Sequence, residues 1–159
     1  MKTILATLAL ALTGGVMQVL AQSAPQHKSA ADSNTASKKS AQDAVLAFVK
    51  AGDERNIAVL EKLIHENFRA LAHPPGTTIA KPVIESRANY LALVQEGKIG
   101  GKPRKVSLQS ADVWNNTAVV RVEMESAELH FSSTLSLFYA PETGWQLVHD
   151  LVELQARGN

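Results

Sequence analysis

From Lys105 to Leu154 the chain alternates apolar and polar residues with a period of two, in four runs separated by short turn signals. Successive side chains of a strand point to opposite faces, so the pattern asks for a sheet with one buried face and one wetter face. In the first run Val106, Leu108 and Val113 are the apolar positions, and a bulge near Ser110 is needed to bring them into phase. Asn115-Asn116 suits a two-residue hairpin turn, which requires positive φ. Thr117 to Glu125 puts Ala118, Val120, Val122 and Met124 on one side and Arg121, Glu123 and Glu125 on the other. Leu129, Phe131, Ser133, Leu135, Leu137 and Tyr139 share a face of the third run. After the turn at Pro141-Glu-Thr-Gly144, simple alternation gives Trp145, Leu147, His149 and Leu151 a common face.

The chain before this meander reads as helical. Ser40-Ala-Gln-Asp43 has the form of a capping box ahead of Val45, Phe48 and Val49, which recur at helical spacing. Gly52 ends that helix, and Asp53 is placed to cap a second one whose buried stripe is Ile57, Leu60 and Ile64. Phe68 to Ala72 reads as a short strand closed by His73-Pro-Pro-Gly76. A loop containing Pro82 leads to Ser86 as the cap of a third helix, Arg87 to Glu96, with Tyr90, Leu91 and Val94 on one side. Helices followed by an antiparallel meander define a segregated α+β domain: about three N-terminal helices packed on a mainly antiparallel sheet.

The N-terminus has a different character. Met1-Lys2 is a positive start, Ile4 to Leu12 is apolar apart from Thr7, and Val19-Leu20-Ala21 has small residues where a peptidase would cut. This is the anatomy of a secretory signal peptide with cleavage after Ala21, which predicts a periplasmic or secreted protein without a membrane anchor after processing. Residues 22–39, rich in Ala, Ser and Lys, read as a flexible leader, and residues 40–155 as the folded domain. The chain has no cysteine, so its stability cannot come from disulfides. The full chain carries 16 Lys+Arg and 15 Asp+Glu; loss of Lys2 with the signal peptide makes them equal, 15 and 15. A neutral chain argues against nucleic acid as a partner.

The order of these pieces resembles the NTF2-like superfamily, and within it the family described as putative lumazine-binding, with the SnoaL-like and ketosteroid-isomerase-like groups as cousins. The residues that carry the resemblance are Ala51-Gly-Asp53, Ile64-His-Glu-Asn-Phe68, the third helix from Ser86 to Leu93, and Thr134-Leu-Ser-Leu-Phe138 with the Gly144-Trp145 strand. The resemblance implies a cone-shaped domain: a curved sheet, helices closing one side and a ligand pocket between. It also implies a homodimer formed through the outer sheet face. Functions on this fold range from isomerases and dehydratases to noncatalytic binding. The base-and-donor set of the ketosteroid-isomerase-like members does not map onto this chain: the first helix has no Tyr, and its early acid, Asp43, is a capping candidate.

Five residues are candidates for the pocket: His149, Tyr90, Trp145, Phe68 and His65. An imidazole at His149, beside Trp145 and Leu147, would act as acid, base or hydrogen-bond donor near neutral pH. Tyr90 would offer its phenol to a ligand carbonyl. His65 follows the second helix, where family members often show a histidine; a C-terminal cap explains it equally well. No histidine pair has ligand spacing and no cysteine exists, so neither a metal nor a cofactor is expected. The expectation is an exported, noncatalytic domain that binds a small apolar or aromatic ligand. The alternatives are an isomerase- or dehydratase-type enzyme using His149 as acid/base, and a dimerising accessory protein.

Overall fold

The structure, a computed structural model, describes residues 30–73 and 82–157; the expected signal peptide, most of the expected leader and Pro74-Pro75-Gly76 lie outside the described residues. The elements run α1 (Ala30–Asp53), α2 (Ile57–Leu63), β1 (Ile64–His73), β2 (Val83–Ser86), α3 (Arg87–Gln95), β3 (Lys105–Trp114), β4 (Thr117–Glu125), β5 (Leu129–Ala140) and β6 (Gly144–Ala156). All six strands form one open sheet in the order β2-β1-β6-β5-β4-β3, antiparallel except where β1 runs parallel to β6. The helices pack on this sheet, α1 against β3, β4 and β6 and α3 against β1 and β2. This is the expected α+β arrangement.

Several local expectations change. α1 begins at Ala30 rather than at Ser40. Nothing between Ala30 and Lys39 is Gly or Pro, so no breaker holds the helix back, and Ser40 becomes an interior residue. Its hydroxyl accepts a hydrogen bond from the Trp145 indole N–H at 2.9 Å instead of capping. Asp53 does not cap α2 either. Asn56 does so, accepting from the Val59 N–H, while Asp53 turns toward Arg104. The stretch after Pro82, expected as loop, supplies the edge strand β2 through pairs such as Leu71 with Ile84. Ser86 caps α3 as expected, accepting from Asn89 N–H.

Two bulges set which side chains enter the core. In β3, Leu108 pairs with Val122 and Ser110 with Arg121, leaving Gln109 as the extra residue beside the expected position. The second was not foreseen. Leu147 pairs with Leu137 and His149 with Ser136, so Val148 has no partner on β5 and the phase of β6 reverses there. Before the bulge Trp145 and Leu147 are buried; after it Asp150 is buried while His149, Leu151 and Glu153 are exposed. The face expected to hold Trp145, Leu147, His149 and Leu151 together is therefore split, because one inserted residue exchanges inside for outside in a period-two strand.

The core lies between the helices and the inner sheet face. Val45, Leu60, Ile64, Phe68, Val94, Val120, Leu135 and Leu147 are among its large, fully buried members. At the Trp114–Thr117 turn, Asn115 takes a φ of 50°, the conformation expected of the two-residue hairpin.

Candidate functional site

The Val148 bulge brings a carboxylate into the core. Asp150 pairs with Leu135 across β5 and is only 8% exposed; Ser133, one pair further along the same face, is 2% exposed. Among the described residues, neither Asp150 Oδ1 nor Ser133 Oγ has a hydrogen-bond partner. The two groups are close enough for the hydroxyl to lower the carboxyl pKa, yet the contact falls short of hydrogen-bond geometry. Burial outweighs it and pushes the Asp150 pKa up to about 6, with Ser133 and the Arg104 guanidinium acting in the opposite direction.

Tyr90 reaches the same region from α3. Its ring stacks on Phe48 of α1 at 5.9 Å between centroids and meets Phe68 of β1 edge-on at 5.4 Å. Burial first, and then the negative charge of Asp150, raise the Tyr90 pKa well above that of an ordinary phenol. The hydroxyl consequently stays protonated and serves as a donor at any physiological pH. Gly52 marks the approach of two polar groups: a Cβ there would lie 3.2 Å from Arg104 Nη2 and 3.9 Å from the Tyr90 hydroxyl.

Arg104 and Asp53 complete the polar rim. Arg104 Nε donates to Asp53 Oδ1 at 2.6 Å, its backbone N–H to Oδ2 at 3.0 Å, and its Nη2 to the Val49 carbonyl at 3.1 Å. The guanidinium also lies over the Phe131 ring, 5.5 Å from its centroid. With side chains 17% and 14% exposed, this pair is largely removed from water, and its hydrogen bonds offset much of the desolvation cost. The arrangement thus combines aromatic walls (Phe48, Phe68, Phe131), a fixed phenol donor, a neutralised cation and an unpartnered hydroxyl–carboxyl pair.

Of the five residues singled out from sequence, the structure brings Tyr90 and Phe68 into direct contact. Trp145 is a core residue 7% exposed, tied to Ser40 and edge-on to Tyr139. His65 is half-buried on β1, where its Nδ1 accepts from the Asn67 N–H; the C-cap of α2 is Ile64 instead. It lines a separate, open depression of about 360 Å³ with Glu61, Glu66, Arg87 and Gln146. That depression, which Ile64 also lines, is bounded mostly by charged and polar side chains and has no aromatic wall. His149 is exposed on the outer sheet face, across from the layer that holds Tyr90. A joint role for His149 as base and Tyr90 as donor is removed by that separation.

Asp150, Ser133, Arg104 and Phe48 were not singled out for chemistry. Ser133 did carry a signal: it is the lone hydroxyl in the otherwise apolar alternation from Leu129 to Leu137. Asp150 carried none, since simple alternation sends it outward.

Comparison with known proteins agrees with this architecture. The profile of the family described as putative lumazine-binding matches residues 36–151. Among solved structures, an NTF2-like protein of unknown function from Silicibacter pomeroyi superposes with a TM-score of 0.63 at 18% identity, covering 77% of this chain and 98% of the other. A conserved protein from Planctomyces limnophilus gives 0.65 at 14% identity, with 77% and 99% covered. A ketosteroid isomerase-like protein from Erwinia carotovora atroseptica gives 0.57 at 10% identity, with 74% and 95% covered. No curated protein matches the sequence.

Proposed function

The chain belongs to the family described as putative lumazine-binding, within the NTF2-like superfamily, and on that footing we propose that it is a noncatalytic domain binding a small apolar or aromatic ligand between its helices and inner sheet face. The observation that carries this reading is the pair of buried, unpartnered polar groups, Ser133 and Asp150, beside the Phe48–Phe68–Tyr90 aromatic cluster. A folded core rarely leaves such groups unsatisfied, because each costs about 1–3 kcal/mol. A ligand edge would supply the missing partners. The test is native mass spectrometry of the protein purified from its own compartment, together with calorimetric titration by lumazine and other planar heterocycles. Retained or titratable ligand supports the reading; an empty protein indifferent to every heterocycle overturns it.

A second reading has its own support. A buried carboxyl with a pKa near 6 beside a protonated phenol is an acid–base pair of the kind an isomerase or dehydratase needs, with Asp150 in the role first assigned to His149. A turnover abolished by Asp150→Asn with ligand affinity retained would favour it.

The N-terminal residues support export with cleavage after Ala21, to be checked by N-terminal sequencing of the protein from a fractionated cell. On the outer sheet face, exposed Ile84 and Leu151 flank Leu71 in one cross-strand row, which supports a homodimer. A monomeric mass by light scattering at high concentration would count against it.

A further inference from the structure

The sheet parts at one place between β1 and β6. Ile64 pairs with Leu147 and Arg69 with His149, so the four residues from His65 to Phe68 stand against Val148 alone. Val148 has no partner on β5 either. Irregularities of this kind re-aim side chains and recur beside functional sites. The open depression of about 360 Å³ lies at this parting, against the end of α2, with Ile64 as its apolar part.

Three polar side chains of the depression are held in place by backbone groups. Arg87 donates through Nε to the Ile64 carbonyl at 3.3 Å and through Nη2 to the Glu61 carbonyl at 3.0 Å, which leaves Nη1 uncommitted. Gln146 Nε2 donates to the Lys62 carbonyl at 3.0 Å and keeps its amide oxygen as an acceptor. The Asn67 N–H donates to His65 Nδ1 at 3.1 Å, so the neutral imidazole carries its proton on Nε2 as a donor. Side chains tied down in this way lose little further freedom on meeting a ligand. The glutamates differ. Glu61 and Glu66 are exposed, and among the described residues neither enters an ion pair. One depression thus gathers two carboxylates without counter-charges and one fixed guanidinium with a free edge.

We propose that this depression binds a basic amino acid: a compact ligand with one carboxylate, two cationic groups and an aliphatic chain between them. The charges decide the class. A simple anion would meet two carboxylates, and a diamine would meet the Arg87 guanidinium. A monoamino acid would leave one of Glu61 and Glu66 without a counter-charge. A basic amino acid answers all three, its carboxylate on Arg87 Nη1 and His65 Nε2–H and its two cations on the glutamates. Its methylenes then cover Ile64, and the Gln146 oxygen takes a further N–H. This site is separate from the aromatic region between helices and sheet, and it does not depend on a ligand binding there.

The test uses three probes of nearly one shape: L-lysine, L-norleucine, which lacks the side-chain ammonium, and 1,5-diaminopentane, which lacks the carboxylate. Each is titrated into the isotope-labelled protein at low salt and neutral pH, where exposed charge pairs are least screened. The nuclear magnetic resonance signals followed are the Gln146 side-chain amide, the Arg87 Nε–H and the backbone N–H groups from His65 to Phe68. Lysine should shift them with a dissociation constant of about 1 mM, the scale of a few solvent-exposed charge pairs. Norleucine and 1,5-diaminopentane should bind about three- to fivefold more weakly, the worth of one such pair. Glu61→Gln and Glu66→Gln, both at exposed positions, should each weaken lysine by a similar factor and leave the free protein's spectrum otherwise unchanged. Equal affinities of the three probes would overturn the proposal, as would no response at these residues to lysine at about 20 mM. Shifts confined to Tyr90 and Ser133 would place lysine between helices and sheet and overturn it equally. The comparison of probes on the unaltered protein stands alone should a variant fail to fold.

Discussion

Two carboxylates largely withdrawn from water, about a hundred residues apart in the chain, show how differently one core treats the same group. At the C-terminus of α1, Asp53 is closed by the Arg104 side chain and backbone N–H, and Arg104 is itself anchored on the Val49 carbonyl and laid over Phe131. The adjoining segment is equally finished. Arg55 donates to the Gly97 and Gly100 carbonyls, and the Gly52 carbonyl accepts from the Gly101 N–H so closely that a Cβ on Gly100 would collide with it. On the β5–β6 floor, Asp150 has no such closure: Leu135 is opposite, Ser133 is near, and Oδ1 remains unpartnered. A completed network is what a fold builds for stability. An incomplete one, buried but without partners, costs stability instead.

The contrast can be broken by mutation, with the largest effect at the finished corner. Arg104→Ala strands Asp53 in a largely dry site and removes two side-chain hydrogen bonds, so a loss of about 3–5 kcal/mol by urea denaturation is expected. A loss under 1 kcal/mol would mean that the corner is not the anchor described here. Asp150→Asn should go the other way, and its sign follows from linkage. The folded-state pKa lies above the model-peptide value, so the folded protein binds more protons than the unfolded chain between about pH 4 and 6. Wild-type stability should therefore fall through that window relative to the variant, by about 2–3 kcal/mol in total, and the difference should hold constant above it. Parallel pH profiles for the two proteins would refute the placement of an ionisable group there.

Smaller effects complete the series. Ser133→Ala removes a buried hydroxyl with no partner, so ligand-free stability should change by less than about 1 kcal/mol, toward stabilisation. Ligand affinity should nevertheless drop. His149→Ala, on the exposed outer face, should alter stability by under about 0.5 kcal/mol and leave lumazine titrations unchanged. An effect of His149→Ala on binding would return the histidine to the site.

The strands β3 to β6, the Asn115-Asn116 hairpin and the Ser86 cap were legible because each rests on local rules: period-two burial, positive φ and a side chain reaching its own helix's N–H groups. Phe68 and Tyr90 were legible as inward-facing apolar and aromatic positions. The start of α1 at Ala30 was not, since an Ala- and Lys-rich stretch without Gly or Pro reads equally as leader or helix. Asp53 looked like a cap because only its neighbours in sequence were visible; Arg104, far along the chain, outcompeted α2 for it.

What the sequence determined by itself is the layer architecture: helices at the front, an alternating sheet behind, and an apolar face for each to bury. The tertiary structure decided which residues that sheet turns inward. One unpaired residue, Val148, is inserted because Leu147 and His149 face consecutive positions of β5, and that register belongs to two strands together. Alternation along β6 cannot reveal it. The bulge exchanges His149 for Asp150 at the inner face, leaving the imidazole exposed and burying the carboxyl.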